Sequence, residues 1–160
     1  MPTLAPNLWF SHDAEEATSF YVSLLPDSRI DSVTVLPADT PSGPAGTAKV
    51  ISFTLMGRPF MGFSAGPFEP FNHAVSLVVS CDDQTEIDRL WAALTEGGKE
   101  ERCGWLKDRY GLSWQIVPSA LGKLMSDPDR AKAKRVAEAM LKMVKFDIAG
   151  LRRAYEGDAE

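Results

Sequence analysis

The sequence predicts an α+β fold in which a βαβββ order of elements occurs twice and is followed by C-terminal helices. Three observations predict it. An apolar run leading into a helical pattern occurs near the N-terminus and again near the middle of the chain. Each is followed by short runs rich in Val, Ile, Phe or Trp. The two copies also superpose at one shift, Asn7–Asp13 over Ser76–Asp82 and Leu25 over Leu94, both 69 positions apart.

The first copy opens with Leu4–Phe10, a strand candidate. Asp13 then has the chemistry of a helix cap, and Ala14, Ala17, Phe20, Tyr21 and Leu24 recur at helical spacing up to Pro26. Ile30–Leu36, Val50–Met56 and Pro59–Ala65 read as strands, and Pro37–Gly46, with three prolines and two glycines, as a loop. The second copy opens with Ala74–Cys81, capped by Asp82. Its helix carries Ile87, Leu90, Trp91 and Leu94 and stops at Gly97-Gly98. Lys99–Arg102, Trp105–Lys107 and Leu112–Val117 are its further strands, the last two joined by the turn residues Asp108-Arg109-Tyr110-Gly111. Beyond Pro118, Ser126-Asp-Pro128 opens an amphipathic helix marked by Ala133, Val136, Ala137, Met140, Leu141 and Val144. A shorter helix is expected around Ile148–Tyr155. The expected organisation is thus a paired-module region 1–118, with modules 1–66 and 73–118, and a helical extension 119–160 packed on the same domain.

With 160 residues and 44% hydrophobic content, the chain supports a buried core without room for two large domains. A net charge of −5 repels phosphate backbones and anionic lipid surfaces, so neither nucleic acid nor membrane is an expected partner. Eight basic residues lie between Arg130 and Arg153, but seven acids follow from Asp127 onward, which describes a solvated helix face. Cys81 and Cys103 lack the number and spacing of a disulfide framework or a CxxC motif and read as free thiols. No basic stretch followed by an apolar run opens the chain, and no window approaches a membrane-spanning length, so a cytoplasmic location is expected.

Several stretches resemble one family. They are Pro6-Asn-Leu-Trp-Phe10, Ala14-Glu-Glu-Ala17, Phe20-Tyr21, Phe71-Asn72, Ala74-Val-Ser76 and, most specifically, Gly104-Trp-Leu-Lys-Asp-Arg-Tyr-Gly-Leu-Ser-Trp-Gln-Ile-Val-Pro118. Over residues 3 to 153 the chain resembles the PhnB-like branch of the vicinal oxygen chelate (glyoxalase/bleomycin resistance/dioxygenase) superfamily. The resemblance implies that the two modules form a cupped mixed sheet around a pocket, and that the protein is a homodimer. Some relatives bear the label 3-demethylubiquinone 3-methyltransferase. No glycine-rich strand-to-helix turn of the kind nucleotide-like cofactors favour is present, and no cofactor is expected.

Catalytic members of the superfamily hold one divalent ion through His, Glu or Gln on the first and last strands of each module. In this chain the register puts Asn7, Met61, Ser76 and Gln115 at those places. That set has neither carboxylate nor imidazole to offset the dehydration of a hard cation, so no metal is expected there. A shifted site would have to draw on His12, Glu15, Glu69 or His73, the last on the opposite face of its strand if that strand begins early enough.

Alternation brings Trp9 with Asn7, Val78 with Ser76, Ser113 and Val117 with Gln115, and Phe63 with Met61, an apolar and aromatic lining with a few hydrogen-bonding groups. Leu8, Phe10, Trp114 and Ile116 are expected on the opposite, helix-facing side as core. Trp105, Lys107, Asp108 and Arg109 cluster at the hairpin, where the cations meet a ligand carboxylate or phosphate or else pair with Asp108. His12 and Cys81 occupy matching places and read as strand-end residues, with a His/Cys catalytic pair as the other possibility. The linker Gly66–Asn72 is either a rim over the cup or a plain connection. The expected function is metal-free binding of a small organic ligand by Asn7, Trp9, Met61, Phe63, Ser76, Trp105, Lys107, Arg109, Ser113 and Gln115. Two alternatives stay open. One is a metal-dependent lyase, isomerase or dioxygenase, or acid/base chemistry by Lys107, Arg109 or His73. The other is a protein-interaction module exposing Val136, Met140 and Val144.

Overall fold

The computed structural model describes residues 1–11, 14–66 and 69–158. The expected cap Asp13, the candidate His12, and Pro67 and Phe68 of the linker lie outside the described residues. The chain divides into two compact units, Met1–Pro70 and Phe71–Glu160.

The first unit contains β1 (Asn7–Phe10), α1 (Ala14–Leu24), β2 (Arg29–Val35), β3 (Lys49–Leu55) and β4 (Arg58–Ser64), with sheet order β1-β4-β3-β2. β1 runs parallel to β4, and the other pairs are antiparallel. Leu8, Phe10, Ile51 and Phe53 alternate onto the side that meets α1, where Ala14, Ala17 and Tyr21 are buried in turn. Each large side chain sealed this way contributes about 1.5–3 kcal/mol. Gly62 permits the close approach of helix to sheet, since a Cβ there would stand 3.0 Å from Thr18 Cγ2. The β3–β4 turn has positive φ at both Met56 and Gly57, the conformation that matches strand twist in a two-residue hairpin.

The second unit repeats the plan with β5 (Ser76–Cys81), α2 (Gln84–Thr95), β6 (Lys99–Glu100), β7 (Trp105–Lys107) and β8 (Ser113–Pro118), in sheet order β5-β8-β7-β6. The parallel pair is again first strand with last, β5 with β8. Ile87, Leu90, Trp91 and Leu94 line one stripe of α2 and are buried with Val79, Leu106, Trp114 and Ile116. The indole N–H of Trp91 donates to Glu100 Oε1 at 2.7 Å, which satisfies a polar tip at the edge of the core.

α3 (Leu121–Met125), α4 (Arg130–Lys142) and α5 (Ile148–Glu156) belong to this second unit. Phe146 is buried against Gly104, whose φ is +76° and whose Cβ, if it had one, would overlap the phenyl ring and lie 2.7 Å from Ile116 O. The backbone amides of Cys103 and Gly104 donate to Met143 O and Val144 O at 2.9 and 2.8 Å. Gln84 Nε2 donates to Phe146 O and its Oε1 accepts from Ile148 N, both at 2.9 Å, so one α2 side chain fixes the entry to α5.

Three local expectations are corrected, and one element is added. α2 is capped by Asp83, not Asp82, because the Asp83 carboxylate accepts from Glu86 N at 2.9 Å. α4 is opened by Asp129, which accepts from Ala131 N and Lys132 N, rather than by Ser126-Asp-Pro128. α4 ends at Lys142, leaving Val144 beyond it, and Val136 is fully buried, so the expected exposed stripe through Val136 does not form. The short α3 has no counterpart in the periodicity because its five residues span little more than one turn.

Candidate functional site

Each sheet has one face packed by its helix and one turned away from it, and the register assigns the side chains. In the first unit Asn7 lies beside Met61 and Trp9 beside Phe63, with Ser52 and Val50 continuing these rows on β3. Trp9 and Phe63 meet edge to face, with centroids 4.9 Å apart and planes at 84°. The Trp9 indole donates to Gly66 O at 3.2 Å, which anchors the start of the linker to this face. Met61 is 39% exposed, although β4 is an interior strand.

In the second unit Ser76 lies beside Ser113, Val78 beside Gln115, Gln115 beside Trp105, and Ser113 beside Lys107. Gln115 is therefore one pleat further along than Ser76, and it reaches back diagonally, its Nε2 donating to Ser76 Oγ at 2.9 Å. Val78 is 57% exposed in the middle of its strand. Ser113 is fully buried, and its hydroxyl has no hydrogen-bond partner among the described residues. Trp114 and Ile116, between these positions, point into the core as alternation requires.

The hairpin cluster separates into parts. Asp108 is 3% exposed and acts as an internal brace: Oδ1 accepts from Tyr110 N at 2.9 Å and Leu112 N at 3.0 Å, and Oδ2 from the Trp114 indole at 2.9 Å. Lys107 sits on the strand and shares the open face, with no ion pair among the described residues. Arg109 stays in the turn, its guanidinium 5.7 Å from the Tyr110 ring centroid. Sequence reasoning did not include Lys99, which the β6–β7 pairing sets directly opposite Lys107. Counting back across the hairpin from Lys107 would have found it.

His73 is not on the opposite face of β5. That strand begins at Ser76, so alternation does not extend back to His73, which lies in the preceding turn. Its Nε2 is 2.7 Å from Glu101 Oε2, and its ring centroid is 6.0 Å from that of Trp105. Cys81 is 2% exposed, and burial, reinforced by the nearby Glu86 and Asp83 carboxylates, pushes its thiol up to about 11. Such a thiol stays protonated and is a poor nucleophile.

A divalent ion of the kind the superfamily's enzymes use does not fit these residues. Asn7 and Met61 are neighbours, Gln115 spends its amide on Ser76, and the set carries no anionic or imidazole donor. Among the described residues no group of three His, Cys, Asp or Glu side chains is placed to hold a metal. Nor is any helix of the described residues long and apolar enough to cross a membrane.

Comparison with known proteins agrees with this architecture. Residues 2–117 match the family model described as 3-demethylubiquinone-9 3-methyltransferase, a span that ends within β8 and before α3 begins. A Bacillus cereus PhnB protein bearing the same methyltransferase label is 32% identical, with a TM-score of 0.64, covering 74% of this chain and 100% of its own. A Pseudomonas aeruginosa protein is 23% identical at a TM-score of 0.56, covering 74% of this chain and 98% of its own. The fosfomycin resistance protein FosX of Mesorhizobium loti shares the fold at 10% identity and a TM-score of 0.53, covering 79% and 98%. No curated protein matches the sequence. With both halves of the repeat inside the matched span and its topology the same in each, the chain belongs to the 3-demethylubiquinone-9 3-methyltransferase family, the PhnB-like branch of the vicinal oxygen chelate superfamily.

Proposed function

We propose that this protein binds a small, partly apolar organic ligand on the sheet faces turned away from α1 and α2, without a metal ion. The observation that carries the reading is the composition of those faces. Trp9, Phe63 and Trp105 are only half buried, and Met61 and Val78 are exposed, on strands whose other side is sealed core. In the first unit Trp9, Met61 and Phe63 accompany Asn7, and in the second Val78 and Trp105 accompany Ser76 and Gln115, so each open face by itself suits a flat organic molecule. The donor set supports binding over metal-assisted chemistry for the reason given above. Free Cys81 and Cys103 support a reducing compartment, and we place the protein in the cytoplasm.

The four indoles provide the test. Trp9 and Trp105 stand on the open faces, whereas Trp91 and Trp114 are buried. A screen of aromatic fragments against 15N-labelled protein is expected to shift the Trp9 or Trp105 indole N–H resonance and leave Trp91 and Trp114 in place. If fragments move neither Trp9 nor Trp105, the reading is wrong.

A further inference from the structure

Across the second sheet, strand pairing lines up one row of side chains on the face turned away from α2: Ser76 on β5, Ser113 on β8, Lys107 on β7 and Lys99 on β6. Their flanking residues fix the face. Trp114 and Leu106 are buried in the core, and Glu100 holds the indole of Trp91 on α2, so Ser113, Lys107 and Lys99 must point the other way.

Two lysines directly opposite each other have Cβ atoms about 4.5–5.5 Å apart, and like charges in that relation destabilise a sheet. Neither Lys99 nor Lys107 forms an ion pair among the described residues. Glu101, the carboxylate next along the same edge, is engaged by His73 at 2.7 Å. Beside Lys107, the Ser113 hydroxyl is buried with no acceptor for its proton, a state that costs about 1–3 kcal/mol when nothing satisfies it. In the next row the Trp105 indole N–H likewise has no acceptor among the described residues. One place on the sheet thus collects two ammonium groups, a hydroxyl and an indole N–H that have no acceptor among the described residues. The matching rows of the first unit, Asn7-Met61-Ser52-Ser32 and Trp9-Phe63-Val50-Thr34, carry no cation.

We propose that Lys99, Lys107 and Ser113 form a subsite for a compact oxyanion, a carboxylate or a phosphate, carried by the organic ligand, with Trp105 packing against the ligand's body. An acceptor-only group satisfies every one of these donors at once and relieves the repulsion between the lysines. Lys107, paired directly with Ser113, carries its charge on a flexible four-carbon stem that can swing to meet the anion. The chain's net charge of −5 keeps extended polyanions away, so the site selects a small anion. This inference deepens the ligand-binding reading and names the chemistry of its ligand.

The test uses three probes of one shape: benzoate, phenyl phosphate and the neutral benzamide, titrated at low salt into 15N-labelled full-length protein and into the K107Q and S113A variants. Benzoate or phenyl phosphate is expected to shift the amides of Lys99, Lys107 and Ser113 and to bind about tenfold more tightly than benzamide. K107Q should remove that advantage without lowering the melting temperature, since it also relieves the repulsion with Lys99, and S113A should weaken the anion alone. Which anion is preferred distinguishes carboxylate from phosphate. If benzamide equals the anions at Trp105 and K107Q is without effect, the oxyanion subsite is refuted and the ligand-binding face stands. If the anions act on the lysine row while neutral aromatics never move Trp9 or Trp105, the subsite stands and the apolar reading falls. Silence from all three probes overturns the subsite.

Discussion

Replacing Asp108 should destabilise the second unit far more than its place in a surface turn suggests. Its carboxylate is 3% exposed and accepts from Tyr110 N, Leu112 N and the Trp114 indole. In D108A the two buried donors, Leu112 N and Trp114 Nε1, lose their acceptor. At about 1–3 kcal/mol for each buried donor left unsatisfied, the expected cost is roughly 2–6 kcal/mol. D108N separates the parts: its carbonyl can still receive the two backbone amides, but its NH2 confronts the Trp114 N–H, donor against donor, for about 1–3 kcal/mol. The double variant D108N/W114F removes that donor, so D108N should cost at least about 1 kcal/mol less in the W114F background. Urea unfolding followed by far-ultraviolet circular dichroism measures the wild type, D108A, D108N, W114F and D108N/W114F. A D108A cost below about 1 kcal/mol, or an equal cost of D108N in both backgrounds, would refute the brace.

Four further predictions follow from the geometry. G104A combines a left-handed backbone, at about 1–2 kcal/mol, with intrusion on Phe146 and Ile116 O, at about 1–3 kcal/mol, for a loss of roughly 2–5 kcal/mol in unfolding experiments. G111A, with φ +85° and nothing within 4 Å of the added Cβ, should cost only the backbone part. Because the Cys81 thiol is raised from 9.0 to about 11, the unfolded chain loses this proton before the folded one, so its contribution to stability is complete below pH 9 and declines towards pH 11. In the native protein at pH 8, iodoacetamide should modify half-buried Cys103 and spare Cys81, which peptide mass spectrometry reads directly. Adding Zn, Mn, Ni or Fe(II) ions should leave the melting temperature where it is, whereas a stoichiometric ion lost on mutating Gln115 would overturn the metal-free reading.

The asymmetry between the modules sets which side chains stand together on each open face. Asn7 meets Met61 directly, whereas Ser76 meets Ser113 and only then, one pleat on, Gln115. Counting from the turn glycines Gly57 and Gly111 makes Met61 and Gln115 equivalent, but the strand pairing does not. A parallel pair is joined through distant connections, so its register is set by how the core side chains seat and not by local spacing.

The sequence by itself determined the βαβββ repeat, the buried faces and the character of the open ones. Periodicity of 2 or 3.6 is a local property, and it separated Trp114 and Ile116 from Ser113 and Gln115 before any contact was known. Only the tertiary structure decided which strand residues stand side by side: Lys99 against Lys107, Gln115 reaching to Ser76, Asp108 turned inward onto Trp114. It likewise decided that Val136 is core and that Phe146 seats against Gly104. These outcomes depend on pairings between residues distant in the chain or on the seating of a side chain in a shared core. Such contacts arise only when the whole unit packs, and no stretch of sequence carries them alone.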